Sequence, residues 1–173
     1  MECMKTLNDK KLANELLQMA EVDQAMRNKA IDDESAWDAS IDEANTIRLT
    51  EIIEQVGWPT IPKVGSEASH AAWLLVQHAS SLAFMKRCLQ LMKDAPRGAV
   101  SPSNLAFLED RVLMMDGKPQ IYGTQFQSVG EEMKVYPIVN PDEVNLRRAN
   151  VGLGTFEENK TRLSELYHKP IVD

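Results

Sequence analysis

Apolar residues recur at helical spacing along most of the chain. Leu7, Leu12, Leu16, Met19 and Met26 predict an amphipathic helix over about residues 5–30. The carboxylates Asp32, Asp33 and Glu34 suit the positive end of a second helix. That helix carries Trp37, Ile41, Ala44, Leu49, Ile52, Ile53 and Val56 and stops at Gly57, and the two predicted helices form an antiparallel hairpin. Trp58-Pro59-Thr60-Ile61-Pro62 then reads as a stiff extended connector, because each proline fixes its own φ and disfavours helical geometry at its predecessor. Helix resumes at Gly65-Ser66, with Ser66 or Ser69 available as N-cap. Ala68, Ala71, Ala72, Trp73, Leu74, Leu75 and Val76 make it apolar nearly all round, as expected of a central, enclosed helix.

A break at Ser80-Ser81 precedes another helix with Leu82, Met85, Leu89 and Met92, which ends before Pro96-Arg97-Gly98. Ser101-Pro102 places a cap before a first-turn proline and opens a helix expected to bury Leu105, Leu108, Val112 and Met115. From Gln120 the period changes to two, with Gln120, Tyr122, Thr124 and Phe126 on one side, and Met133–Ile138 supplies a return strand around Ser128-Val129-Gly130. Gly123 inside that run leaves room for a helix, a ligand or another backbone. Asn140-Pro141 opens a further helix containing Arg147-Arg148, and Thr155 with Glu158 is a capping-box pattern for a last helix to about His168. The expected fold is mainly α (α+β), with about six helices and one small antiparallel β-hairpin over 120–138 packed against the central helix. A single domain, 1–173, accommodates it, with loose ends at 1–4 and 169–173.

Composition narrows the function classes. With 43% apolar and 26% charged residues the chain reads as an ordinary globule. A formal charge of −7 opposes binding to phosphate backbones, so nucleic acid is not an expected partner. No apolar run approaches the ~20 residues that span a bilayer, and MECMKTLNDKK has no apolar signal core, so no membrane partner and a cytoplasmic location are expected. Cys3 and Cys88 do not suggest a disulfide framework, and Cys88 reads as a buried packing residue. Helix pairing on an acidic surface suits a monomer or a dimer equally.

The familiar signatures GxGxxG, HExxH, GxSxG and paired CxxC are absent. His70 and His78 stand eight apart, which is not the usual helical metal spacing, so neither metal nor cofactor is expected. On a helical wheel His70 and Gln77 lie ~20° apart and His78 ~80° from His70, so all three can border one pocket. The other unusual feature is large polar residues in apolar settings: Gln77, His78, Asp110, Arg111, Gln120, Tyr122, Gln125, Arg147 and Arg148. In FLEDRVLMM at least one of Glu109, Asp110 and Arg111 is drawn inward, and a buried charge requires a partner. Buried groups of this kind satisfy one another or a ligand. The first alternative is a polar network fixing the helices on the hairpin. The second is a pocket with His78 as general acid or base, Asp110 as its partner, Arg111, Arg147 or Arg148 on an anionic group, and Gln77, Gln120, Tyr122 and Gln125 orienting a small polar or anionic substrate. Asp23 and Arg27, one turn apart, and His70 stand as its outer support. A hydrolase or lyase follows from that second reading. A non-catalytic small-ligand module and an acidic protein-interaction role, antitoxin- or immunity-like, are its rivals.

GWPTIPKVGSEASHAAWLLVQHA, LAFLEDRV followed by GKPQIYGTQF, and VNLRRANVGL together resemble a bacterial family of unknown function, with Asp23-Gln24 and Arg27 as a weaker forward element. The resemblance covers most of the chain after about residue 20. It implies that the QHA, DR, YGTQ and RR-GL residues matter, and it implies no particular chemistry. An acidic residue tends to follow QHA in that family, where Ala79-Ser80-Ser81 stands here.

Overall fold

The computed structural model describes residues 2–172, with the side chains of 8–31 and 33–172. The side chains of Cys3, Leu7 and Asp32, used in the reading above, lie outside the described residues. The fold is mainly α with a small three-stranded sheet. The chain divides into two compact units, Met1–Ser101 and Pro102–Asp173. No helix among the described residues is long and apolar enough to cross a membrane.

The first unit contains α1 (Glu2–Asp32), α2 (Ala39–Val56), α3 (Ile61–Val64), α4 (Ser66–His78) and α5 (Leu82–Asp94). α1 packs against α2 and more extensively against α4. Leu16, Ala20 and Met26 of α1, Leu49, Ile52 and Ile53 of α2, Ala72, Leu75 and Val76 of α4, and Met85, Cys88 and Met92 of α5 form the core. Burial pushes the Cys88 thiol up to about 12, as expected of a packing residue. α4 is enclosed on most of its surface, although His70 faces solvent.

Several boundaries differ from the sequence reading for identifiable reasons. Asp33 caps a short 3-10 turn, Glu34–Ala36, and α2 starts later, at Ala39, where Asp38 accepts the Ser40 amide. Trp37 therefore precedes α2 and is exposed. Pro62 does not prevent helix: in the first turn of α3 its missing N–H would have no helical partner anyway. α4 is capped by the Gly65 backbone without a side-chain bond, so neither Ser66 nor Ser69 is its cap. The expected Ser80-Ser81 break is present, with the Ser81 hydroxyl accepting from the Phe84 amide.

The second unit contains α6 (Pro102–Met115), β1 (Phe126–Val129), β2 (Glu132–Val135), α7 (Val144–Asn150), α8 (Phe156–Tyr167) and β3 (Ile171–Val172). β1 and β2 are antiparallel, with Phe126 opposite Val135 and Val129 opposite Glu132. β3 adds parallel to β2, pairing Met133 with Ile171, so the segment read as a loose end supplies the third strand. The capping box on α8 forms as expected, the Thr155 hydroxyl accepting from the Glu158 amide while Glu158 accepts from the Thr155 amide.

The run from Gln120 to Gln125 alternates like a strand but folds as a loop, with one β-bridge between Gln120 and Ile138. Gly123 turns it, with φ at +66°. A Cβ there would lie 2.8 Å from Phe156 Cε2 and 3.0 Å from Ile138 Cδ1, so the room the glycine leaves is used by α8. Replacing Gly123 by Ala combines left-handed strain with overpacking, and is expected to lower stability by about 2–3 kcal/mol. Urea denaturation of the variant measures this; an unchanged midpoint contradicts it.

Candidate functional site

The first unit gathers its buried charges at one place. Leu16, Ala20, Asp23 and Arg27 follow each other at three- and four-residue steps, so Asp23 falls on the packed face of α1 and is fully buried. Opposite it, the last turn of α4 presents His78, whose Nδ1 lies 2.8 Å from Asp23 Oδ2. Gln24 Nε2 donates to the same oxygen at 2.8 Å, and Arg27 Nε donates to the carboxylate at 3.2 and 3.3 Å. Arg27 Nη2 reaches Asp42 Oδ1 of α2 at 2.5 Å, and its guanidinium carbon lies 4.7 Å from the centre of the Trp37 ring. The His78 side chain retains 19% of its exposure while its partner retains none.

These contacts fix protonation. Burial by itself would raise the Asp23 carboxyl, but the hydrogen bonds from His78 and Gln24 and the charges of His78 and Arg27 outweigh it and hold the group below its ordinary range. An ionised carboxylate only accepts, so His78 Nδ1 must carry hydrogen. In the neutral ring Nε2 is then the basic atom, and among the described residues no hydrogen bond occupies it.

A second polar cluster occupies the other unit, built around the 120–125 loop. Asp110 of α6, fully buried, accepts the Ile121 amide at 2.7 Å, the Tyr122 amide at 3.1 Å and the Thr124 amide at 3.0 Å, together with the Thr124 hydroxyl at 2.9 Å. The loop's carbonyls face the arginines of α7: Arg147 Nε donates to Ile121 O at 2.8 Å and Arg148 Nη1 to Tyr122 O at 2.8 Å. Arg147 also reaches the Val139 and Asn140 carbonyls, and Arg148 Nε the Gly154 carbonyl at 2.6 Å. Gln120 closes the loop, donating to the Gln125 and Tyr136 carbonyls and accepting the Gln125 amide at 2.8 Å. Burial pushes the Asp110 carboxyl up against the pull of its four donors, and lowers Arg148 from the usual guanidinium range. Burial and the Glu109 and Asp110 charges raise the Tyr122 hydroxyl.

Most of the candidate residues therefore fall into two groups. Asp23, Arg27 and His78 come together in the first unit; Asp110, Gln120, Tyr122, Gln125, Arg147 and Arg148 come together in the second. Asp110 was expected to partner His78, but its acceptor capacity goes to loop amides, and His78 is partnered by Asp23. Arg147 and Arg148 direct these donors to backbone carbonyls and act as staples in the loop. Gln77 is buried on α4, and the exposed His70 ring lies 4.8 Å from that of Trp73. Arg111 lines a cleft with Gln125. Gln24 had been marked only by the family resemblance, and Asp42 and Trp37 were not anticipated as site residues; the sequence signal for those two was closeness to the start of α2. Among the described residues no group of three His, Cys, Asp or Glu side chains is placed to hold a metal ion.

No curated protein and no solved structure matches the chain. A family model does match, over residues 10–171, and by that match the chain belongs to DUF6624, a family of unknown function.

Proposed function

We propose that the chain is a histidine-dependent enzyme, a hydrolase or lyase acting on a small polar or anionic substrate, with His78 as general acid–base and Asp23 as its positioning partner. The observation behind this reading is the unequal burial of the pair: a fully buried carboxylate at 2.8 Å from a ring that keeps access to solvent. A carboxylate in that position holds the Nδ1–H tautomer and leaves Nε2 to take a proton from water or from an acidic C–H. The imidazolium so formed is stabilised by the adjacent negative charge and can return the proton to a leaving group. Arg27, clamped by Asp42 and covered by Trp37, keeps Asp23 ionised and in place.

The test compares wild-type protein with His78→Gln over panels of ester, amide, phosphoester and β-elimination substrates. Wild-type turnover of one class that disappears in the variant, with an unchanged melting temperature, is the expected result. Turnover that survives in His78→Gln overturns the assignment, as does no turnover of any class by wild type.

A further inference from the structure

A cavity of about 280 Å³ lies where α8 begins, with Phe107 and Leu153 on its apolar part and Arg148, Glu158, Asn159 and Arg162 on its polar part. Two of these polar side chains are buried, Arg148 at 2% and Asn159 at 7% exposure, and neither has all its donors engaged. Asn159 Oδ1 accepts from Arg162 Nη2 at 3.1 Å, which fixes the sense of the amide, because the reverse orientation sets its NH2 against a guanidinium that only donates. Its Nδ2 is then a buried donor with no acceptor among the described residues. Arg148 gives Nε to the Gly154 carbonyl and Nη1 to the Tyr122 and Gly123 carbonyls, and among the described residues no hydrogen bond engages its Nη2. Glu158 does not meet this need, since its Oε2 accepts the Thr155 amide at 2.7 Å in the capping box.

A buried donor left unmade costs about 1–3 kcal/mol, so such groups call for an acceptor. Charge narrows the kind of acceptor. Burial lowers Arg148 from the usual guanidinium range and the charge of Arg162 lowers it further, against the support of Asp110, Glu157 and Glu158. A neutral acceptor would satisfy the open N–H groups only, whereas an oxyanion satisfies them and also sits between two like charges. We propose that this cleft binds the carboxylate or phosphate group of a small molecule, held by Arg148 Nη2, Asn159 Nδ2 and Arg162. Every lining residue belongs to the second unit, so binding here does not depend on the His78 reading.

The full chain is titrated at constant ionic strength with millimolar acetate, inorganic phosphate and neutral acetamide, followed by NMR of the side-chain N–H groups. At least one anion is expected to bind saturably, shifting the Asn159 NH2 and Arg162 Nε–H signals, with acetamide at least about tenfold weaker. The anion preferred identifies the head group. Asn159→Asp keeps an acceptor for Arg162 while removing the buried NH2, and is expected to weaken binding at least about tenfold. Arg162→Gln, at an exposed position, is expected to melt as wild type does and to weaken binding about tenfold. It decides the matter alone if Asn159→Asp fails to fold. Acetamide binding as tightly as the anions, shifts confined to other residues, unaltered affinity in Arg162→Gln or in folded Asn159→Asp, or no binding of either anion, which would leave Asn159 Nδ2 to water alone, overturns the proposal.

Discussion

Asp110→Ala is expected to lower the stability of the second unit by about 3–5 kcal/mol, the largest loss from any single truncation there. The side chain is fully buried and accepts three backbone amides and one hydroxyl, none of which has another acceptor in hand once the carboxylate is gone. Each orphaned buried donor costs about 1–3 kcal/mol, and the gain from no longer burying a charge offsets only part of that sum. The arginines add to the loss. Arg147 and Arg148 hold the Ile121 and Tyr122 carbonyls of the same loop, and Arg148 loses the carboxylate whose charge supports it most. Asp110→Asn is expected to be milder, because one oxygen still accepts, yet its NH2 group confronts amides that can only donate. Amide hydrogen exchange reads the effect where it arises: protection of the Ile121, Tyr122 and Thr124 N–H groups collapses in Asp110→Ala. Retained protection would mean that the loop is held by the arginines alone.

That loop also shows where sequence reading succeeds and where it stops. The density of polar residues in FLEDRVLMM, GKPQIYGTQF and VNLRRANVGL marked them as a group that must satisfy itself, and Asp110, Gln120, Tyr122, Gln125, Arg147 and Arg148 contribute to one network. Alternation suggested a strand because Tyr122, Thr124 and Phe126 favour extended backbone. What overrode it was nonlocal: a carboxylate on α6 collecting amides that a strand would have given to a neighbour, and a glycine whose φ of +66° is set by packing against α8. Helix periodicity, by contrast, is local, and α1, α4, α5, α6 and α8 lie close to where their apolar spacing placed them. β3 was missed because two residues carry no period at all; it exists only through its register with Met133 and Lys134.

For the candidate site the sequence was legible in its members and misleading in their pairing. His78 stood out as a polar residue at the end of an apolar helix, and Asp23 as one half of a pair with Arg27 one turn on, but nothing in a sequence separation of 55 residues says that Asp23 and His78 touch. Asp110 was the more conspicuous carboxylate because its surroundings are greasier. Conspicuousness tracks burial, and burial suits a structural carboxylate as well as a catalytic partner.

Asp23→Asn separates those two roles for the pair in the first unit, and is expected to reduce turnover by about 10²–10⁴-fold, at a stability cost of only about 1–2 kcal/mol. Three donors converge on the carboxylate, from His78, Gln24 and Arg27. Asparagine offers a single acceptor oxygen to share among them, and its NH2 group, if turned to His78, stabilises the tautomer whose proton is on Nε2, the wrong nitrogen for a base. The long-range 1H–15N spectrum of the imidazole reports that switch directly. Acid unfolding supplies the independent check. A carboxyl held below its ordinary value of 3.8 contributes stability that is fully present above that value and is lost as pH falls through the folded-state value. Asparagine cannot titrate, so the part of the stability difference between wild type and Asp23→Asn that ionised Asp23 supplies should shrink as pH falls through the folded-state value of that carboxyl. If turnover survives with the tautomer switched, the pair is a staple between α1 and α4 and the chemistry lies elsewhere. If turnover falls, the tautomer switches and the acid arm shrinks together, Asp23 acts by holding the His78 ring, because a staple alone would move stability and leave the proton's position without consequence.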